Sequence, residues 1–146
     1  MQISALLSVV AFSAATLAQP ISMAANTGEW TITSLSRACD AADTVCDWTF
    51  GIDTGDAATS VADVKYTVNA SDNKPASQAR GGPVTVGDYT ITSQWSDQFG
   101  ADKGFTTFSV VDNVKRLIIF PGYDDVQVKD GKVVSPDQSY PVQNLP

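Results

Sequence analysis

From Trp30 onward the side chains alternate in character with a period of two. Cys46, Trp48, Phe50 and Ile52 are separated by Asp47, Thr49 and Gly51. Successive side chains of an extended strand point to opposite faces, so this pattern buries one face and wets the other. A helix needs an apolar repeat near 3.6, and no segment shows a convincing one. Val64, Tyr66 and Val68 alternate with Lys65, Thr67 and Asn69, and Tyr89, Ile91 and Trp95 form a further face. The stretches 30–37 and 105–111 are rich in β-branched and aromatic residues, as strands are. The wholly apolar run Leu117-Ile-Ile-Phe120 predicts a strand covered on both faces. Asp130-Gly131, set between Val126-Gln-Val-Lys129 and Lys132-Val-Val134, predicts a tight hairpin, because both turn positions favour positive φ. Pro141 lacks an N–H and places a last strand, 139–142, on a sheet edge. Residues 53–60 and 70–83 read as loops. The expected fold is all-β: an antiparallel β-sandwich or β-barrel of about eight short strands, with Trp30, Trp48 and Trp95 in its core.

Residues 1–18 carry no charge, and 3–12 are almost continuously apolar. Small residues follow, with Thr16 and Ala18 at the −3 and −1 positions of a signal-peptidase site after Ala18. The run is shorter than the ~20 apolar residues that span a bilayer. The expectation is a signal peptide (1–18), a single secreted β domain (19–146), and an extracellular location. Secretion makes a disulfide the default state of Cys39 and Cys46, the two cysteines of the chain. It would staple the mouth of a hairpin whose loop is 40–45. Nine Lys and Arg against sixteen Asp and Glu give a net charge of −7. That balance disfavours nucleic acid and anionic lipid as partners, and no membrane insertion is expected.

The chain has no histidine. A Ser-His-Asp or Cys-His nucleophile pair cannot be built, and histidine zinc sites are excluded. No Gly-rich phosphate-binding pattern occurs. An enzyme would have to rely on carboxylates, tyrosines or lysines. Two acids ~5–10 Å apart across a sugar can hydrolyse a glycoside, and Asp124 with Asp125 is the best local pair. Asp40, Asp43 and Asp47, and then Asp53 and Asp56, are acidic clusters of the kind that can bind calcium, but neither matches EF-hand spacing. They read as solvated acidic loops. No catalytic residue, metal or cofactor is assigned. Exposed tryptophans would favour an alternative, binding to wall polysaccharide. Asn69-Ala-Ser71 is an acceptor sequon for N-glycosylation.

The most distinctive stretch is Gln94-Trp-Ser-Asp-Gln-Phe-Gly100, followed by Gly104-Phe-Thr-Thr and Ser109-Val-Val-Asp112. It looks like two strands joined across Gly100 and Gly104, with Phe99 and Phe105 placed to close over the end of the core. With Arg37-x-Cys39, Cys46-x-Trp48-x-Phe50, Tyr123-x-Asp125 and Pro136-Asp-x-Ser-Tyr-Pro-Val142, it resembles a family of fungal small secreted proteins. Within that family the chain is similar to hypersensitive-response-inducing elicitors of plant-pathogenic fungi. The resemblance implies a non-enzymatic protein that triggers plant defence and cell death, and it implies no catalytic residues. The expected partner is a plant cell-surface receptor or apoplastic protein. Recognition surfaces usually lie on loops held by a rigid scaffold. The candidate residues are Asp40 and Asp43 in the first loop, Asn73 in the second, and Gln98, Asp102 and Lys103 between Gln94 and Phe105.

Overall fold

In the computed structural model, which describes residues 28–146, the alternating segments become ten strands. The expected signal peptide and its cleavage point lie outside the described residues. β1 (Glu29–Cys39), β2 (Val45–Asp53), β3 (Val61–Asn69) and β9 (Gln138–Pro141) form one antiparallel sheet in the order β3-β2-β1-β9. The second sheet holds β4 (Gly81–Val86), β5 (Tyr89–Ser96), β6 (Phe105–Asp112), β7 (Leu117–Ile119), β8 (Gly122–Asp124) and β10 (Gln143–Asn144). Its order is β10-β7-β6-β5-β4, with β8 on the same edge of β6 as β7. Two sheets packed face to face make a sandwich, which decides between the two expected architectures.

The inner faces meet through aromatic rings. Trp48 and Tyr66 of the first sheet set their rings edge-on to Phe108 of the second, at centroid distances of 4.9 and 5.7 Å. Trp30 meets Tyr89 in the same way at 5.7 Å. A fully buried polar link crosses this core: the Tyr66 and Ser93 hydroxyls are hydrogen-bonded at 2.9 Å. At the far edge the chain itself joins the sheets. β9 is the outer strand of the first sheet, as Pro141 required, and the chain then buries Val142 and enters β10 of the second.

A bulge in β1 sets what faces inward. Thr33 pairs with Gly51 and Ser36 with Thr49, so Ser34 and Leu35 together oppose Phe50. Ser34 takes a positive φ of 48°. The extra residue shifts the phase of the strand. Trp30 and Ile32 point inward before it, and Leu35 and Arg37 after it. Arg37 thus lands opposite Trp48, and Cys39 opposite Cys46.

Four sequence expectations need correction. First, the loop expected over 70–83 ends early, because residues 81–83 open β4. Gly82 has φ 80° and makes a bulge before Val84, and the two-residue turn Gly87-Asp88 then returns the chain to β5. Second, 126–134 is not a strand hairpin. The turn forms as expected, with Asp130 and Gly131 at φ 58° and 74° and Lys132 N–H bonded to the Lys129 carbonyl at 3.2 Å. Its flanks do not pair: 3₁₀ turns occupy Asp125–Gln127 and Lys129–Gly131. The Val134 N–H is taken instead by the Leu35 carbonyl at the β1 bulge, at 2.8 Å. Third, the apolar run at 117–120 is not covered on both faces, because Phe120 is half exposed. Fourth, Phe99 and Phe105 do not close over the core. They stack on each other at 5.7 Å, with Phe99 66% exposed, so this pair faces solvent.

Candidate recognition site

Three loops converge at one end of the sandwich. The first, 40–45, joins β1 to β2 and is closed by the Cys39–Cys46 disulfide across directly paired positions. Asp40 organises it: its carboxylate accepts from the N–H groups of Thr44 at 2.6 Å and Val45 at 3.1 Å, and from the Thr44 hydroxyl. The Thr44 hydroxyl bond, with those two backbone bonds, holds the Asp40 carboxyl below its ordinary range. Asp43 turns the other way, toward the second loop. Its carboxylate accepts from Ser77 N–H at 2.8 Å and Ser77 Oγ at 2.5 Å, and its carbonyl from Ala76 N–H at 2.8 Å.

The second loop follows β3. Ala70 N–H donates to the Thr44 carbonyl at 2.8 Å, which ties its root to the first loop. Asp72 and Asn73, both at positive φ, form the tip of a tight turn closed by the Ser71–Lys74 bridge. Asn73 is exposed there. Lys74 then places its ammonium 5.8 Å from the Trp95 ring centroid.

Trp95 belongs to an end plate that joins the two sheets. Its indole Nε1–H donates to Asp125 Oδ2 at 2.9 Å, and Arg37 Nη1 donates to Asp125 Oδ1 at 3.2 Å. The guanidinium also lies 5.4 Å from the centroid of the Trp48 ring, a cation–π contact. Gly104 completes the plate. Its carbonyl accepts the Asp125 N–H at 2.9 Å, and a β-carbon here would overlap the Asp125 carboxylate and the Trp95 ring. Arg37, Trp95, Gly104 and Asp125 all belong to the motif segments, but their pairing is long-range and leaves no local pattern. Asp125, a candidate acid by sequence, is instead a structural acceptor.

The third loop spans 97–104. Gly100 N–H bonds Asp97 O at 2.8 Å, and Lys103 N–H bonds Gly100 O at 2.9 Å. Gln98, Asp102 and Lys103 are exposed on it. Between this loop and β8 lies an open cleft of about 670 Å³, lined by Phe99, Phe105, Asp102, Lys103, Gly122 and Val126 among others. It shares Phe105 and Thr107 with a second cleft of about 580 Å³ over the outer face of β5 and β6, where Gln94, Gln98 and Phe120 contribute. Exposed Phe99 and Phe120, and half-buried Phe105, depart from the covered positions the sequence suggests for them. Alternation of Phe105 with buried Thr106 was the available signal for its outward direction.

The acidic side chains of this end are tied into the fold. Both Asp125 oxygens are engaged by Arg37 and Trp95, so the Asp124–Asp125 pair does not offer two free acids. Asp124 is exposed at the rim of the Phe99 cleft. Cys39, Asp43 and Cys46 lie within 4.8 Å of one another, but the two sulfurs are bonded together and Asp43 is held by Ser77. In the 53–60 loop, Asp53 accepts from Gly55 N–H and Asp56 from Ala58 N–H, both at 2.9 Å. These are local turn bonds of the kind Asp side chains favour. Trp30 and Trp48 are buried in the core as expected, whereas Trp95 is only half-buried at its edge.

A family model described as Effector TSP1 matches residues 31–145, which includes every element of this end plate. The chain belongs to the Effector TSP1 family. It is 57% identical over 136 residues to Effector TSP1 of the fungus Hypocrea virens, an alignment covering 93% of this chain and 89% of the relative. The fungal kinship expected from the motif segments is therefore shown.

Proposed function

We propose that the protein is a secreted fungal effector that acts as a non-enzymatic ligand. It triggers plant defence or local cell death by presenting a folded surface to a plant cell-surface receptor or apoplastic protein. One observation carries this reading: in a member of an effector family, three loops gather at one end of a rigid sandwich, cross-braced by Arg37, Asp125 and Trp95. Asp40, Asp43, Asn73, Gln98, Asp102 and Lys103 mark the recognition surface, with the stacked Phe99–Phe105 pair as its apolar anchor. Aromatic anchors ringed by polar side chains are the usual high-energy parts of protein interfaces.

Purified folded protein infiltrated into leaves at micromolar dose should give an oxidative burst and cell death. Absence of any response would sink the proposal. A second reading, binding of wall polysaccharide, is favoured by exposed Gln94 beside half-buried Phe105 and Thr107 on the outer sheet face. Retention on insoluble chitin, glucan or cellulose would support it, and empty pull-downs would remove it.

A further inference from the structure

We infer that Asn69 carries an N-linked glycan, rooted between the first two recognition loops. Asn69 is the last residue of β3, the outer strand of the first sheet. Its strand neighbours Tyr66 and Val68 point into the core, so Asn69 shares the outward row of Lys65 and Thr67. Asn69 and Ser71 are both exposed, and no hydrogen bond among the described residues engages either side chain. Modification therefore costs the fold nothing: no buried atom has to move and no bond has to break. Among the described residues, other asparagines lack the sequon; Asn73, Asn113 and Asn144 are not followed by Ser or Thr at the second position.

The placement gives the glycan a definite neighbourhood. Asn69 pairs directly with Val45, and the next N–H, of Ala70, bonds the Thr44 carbonyl. Neighbouring strands lie ~4.8 Å apart, so the first sugar stands beside the 40–45 loop. The Phe99 cleft is lined instead by the 97–104 loop and residues of the other sheet.

The donor would be the lipid-linked oligosaccharide diphosphate of the secretory pathway, so the inference rests on the secretory reading above. A bond forms between Asn69 Nδ2 and C1 of the first N-acetylglucosamine. The bond from that carbon to the lipid diphosphate breaks, Nδ2 loses a proton, and the lipid diphosphate leaves.

The test is to express the full chain in a filamentous fungus and weigh the protein in the culture filtrate. The expected mass exceeds that of the bare polypeptide and falls to it on treatment with peptide-N-glycosidase F, leaving an aspartate at position 69 in the peptide map. Asn69→Gln and Ser71→Ala should each be secreted at the bare mass. Wild-type protein in the filtrate at the bare mass would overturn the glycan while leaving secretion intact. Bare protein retained inside the cells would overturn both.

Discussion

Arg37 and Asp125 stand 88 residues apart in the chain and form an ion pair at 3.2 Å across the end of the sandwich. Arg37 is 10% exposed and Asp125 33%, so water screens the pair less than it would a surface contact. Asp125 also accepts the Trp95 indole, so one carboxylate joins β1 to the end of β5. Replacing Asp125 with Ala should lower stability by about 2 kcal/mol, through the lost bonds and the cation left without its partner. Urea unfolding reads this, and a double-mutant cycle with Arg37→Met should show coupling of about 1 kcal/mol. Additive single effects would mean that the pair does not brace the loops.

Two glycines separate a close approach from an empty one. A β-carbon on Gly104 would lie 2.7 Å from Trp95 Cζ2, and one on Gly122 would meet nothing within 4 Å. Gly104→Ala should cost about 1–3 kcal/mol of stability by forcing the end plate apart. Gly122→Ala should change stability little. Thermal melts of the two variants check both expectations.

Two buried tyrosines should respond oppositely to loss of the hydroxyl. Tyr66 Oη bonds Ser93, which is itself buried, so Tyr66→Phe leaves an orphaned group and should cost about 1–2 kcal/mol. Among the described residues, the buried Tyr123 hydroxyl has no hydrogen-bond partner. The Tyr140 hydroxyl is near enough to bear on its ionisation, but instead reaches Gly122 O at 3.1 Å and Gln138 Oε1 at 2.6 Å. Tyr123→Phe should therefore be neutral or stabilising, measured by the same unfolding curves.

Alkaline pH should unfold the protein through its tyrosines. Burial, with the Asp112 charge adding, pushes Tyr89 up to about 12, and burial also raises Tyr66, Tyr123 and Tyr140. A folded pKa above the ordinary 10 means that the stabilisation is complete below pH 10 and is lost as pH rises through the folded value. Phenolate absorbance should thus rise cooperatively with loss of tryptophan fluorescence structure. At the acid end, Asp40 has the opposite sign. Its contribution is present above the ordinary 3.8 and is lost as pH falls through its lowered folded value.

Most strands were legible because alternation survives in them, as in Cys46, Trp48, Phe50 and Ile52. β4 was not, because Gly81, Gly82 and Pro83 signal a turn while actually forming a bulged strand start. The Asp130-Gly131 turn was legible from its residues, but the fate of its flanks was decided by the distant Leu35 carbonyl. The β1 bulge was invisible for a related reason: Ser34 carries no strong preference for the positive φ it adopts. The irregular backbone of 40–45 and of 70–80 was legible from composition. The Arg37–Asp125–Trp95 brace that gathers them was not, since a pair 88 residues apart leaves no local pattern.

Removing the disulfide by Cys39→Ala with Cys46→Ala should destabilise the fold by ~2.5 kcal/mol, the chain-entropy value for so short a loop. Denaturant midpoints of the variant and the parent test this.

As a proposed ligand, the protein should be recognised through its folded surface. The most direct measurement is leaf infiltration of the folded protein beside a reduced, heat-denatured sample of the same preparation, scored for oxidative burst and cell death. The account predicts a response to the folded sample alone. An equal response to both would contradict it by pointing to a linear epitope, and silence from both would contradict the effector reading itself.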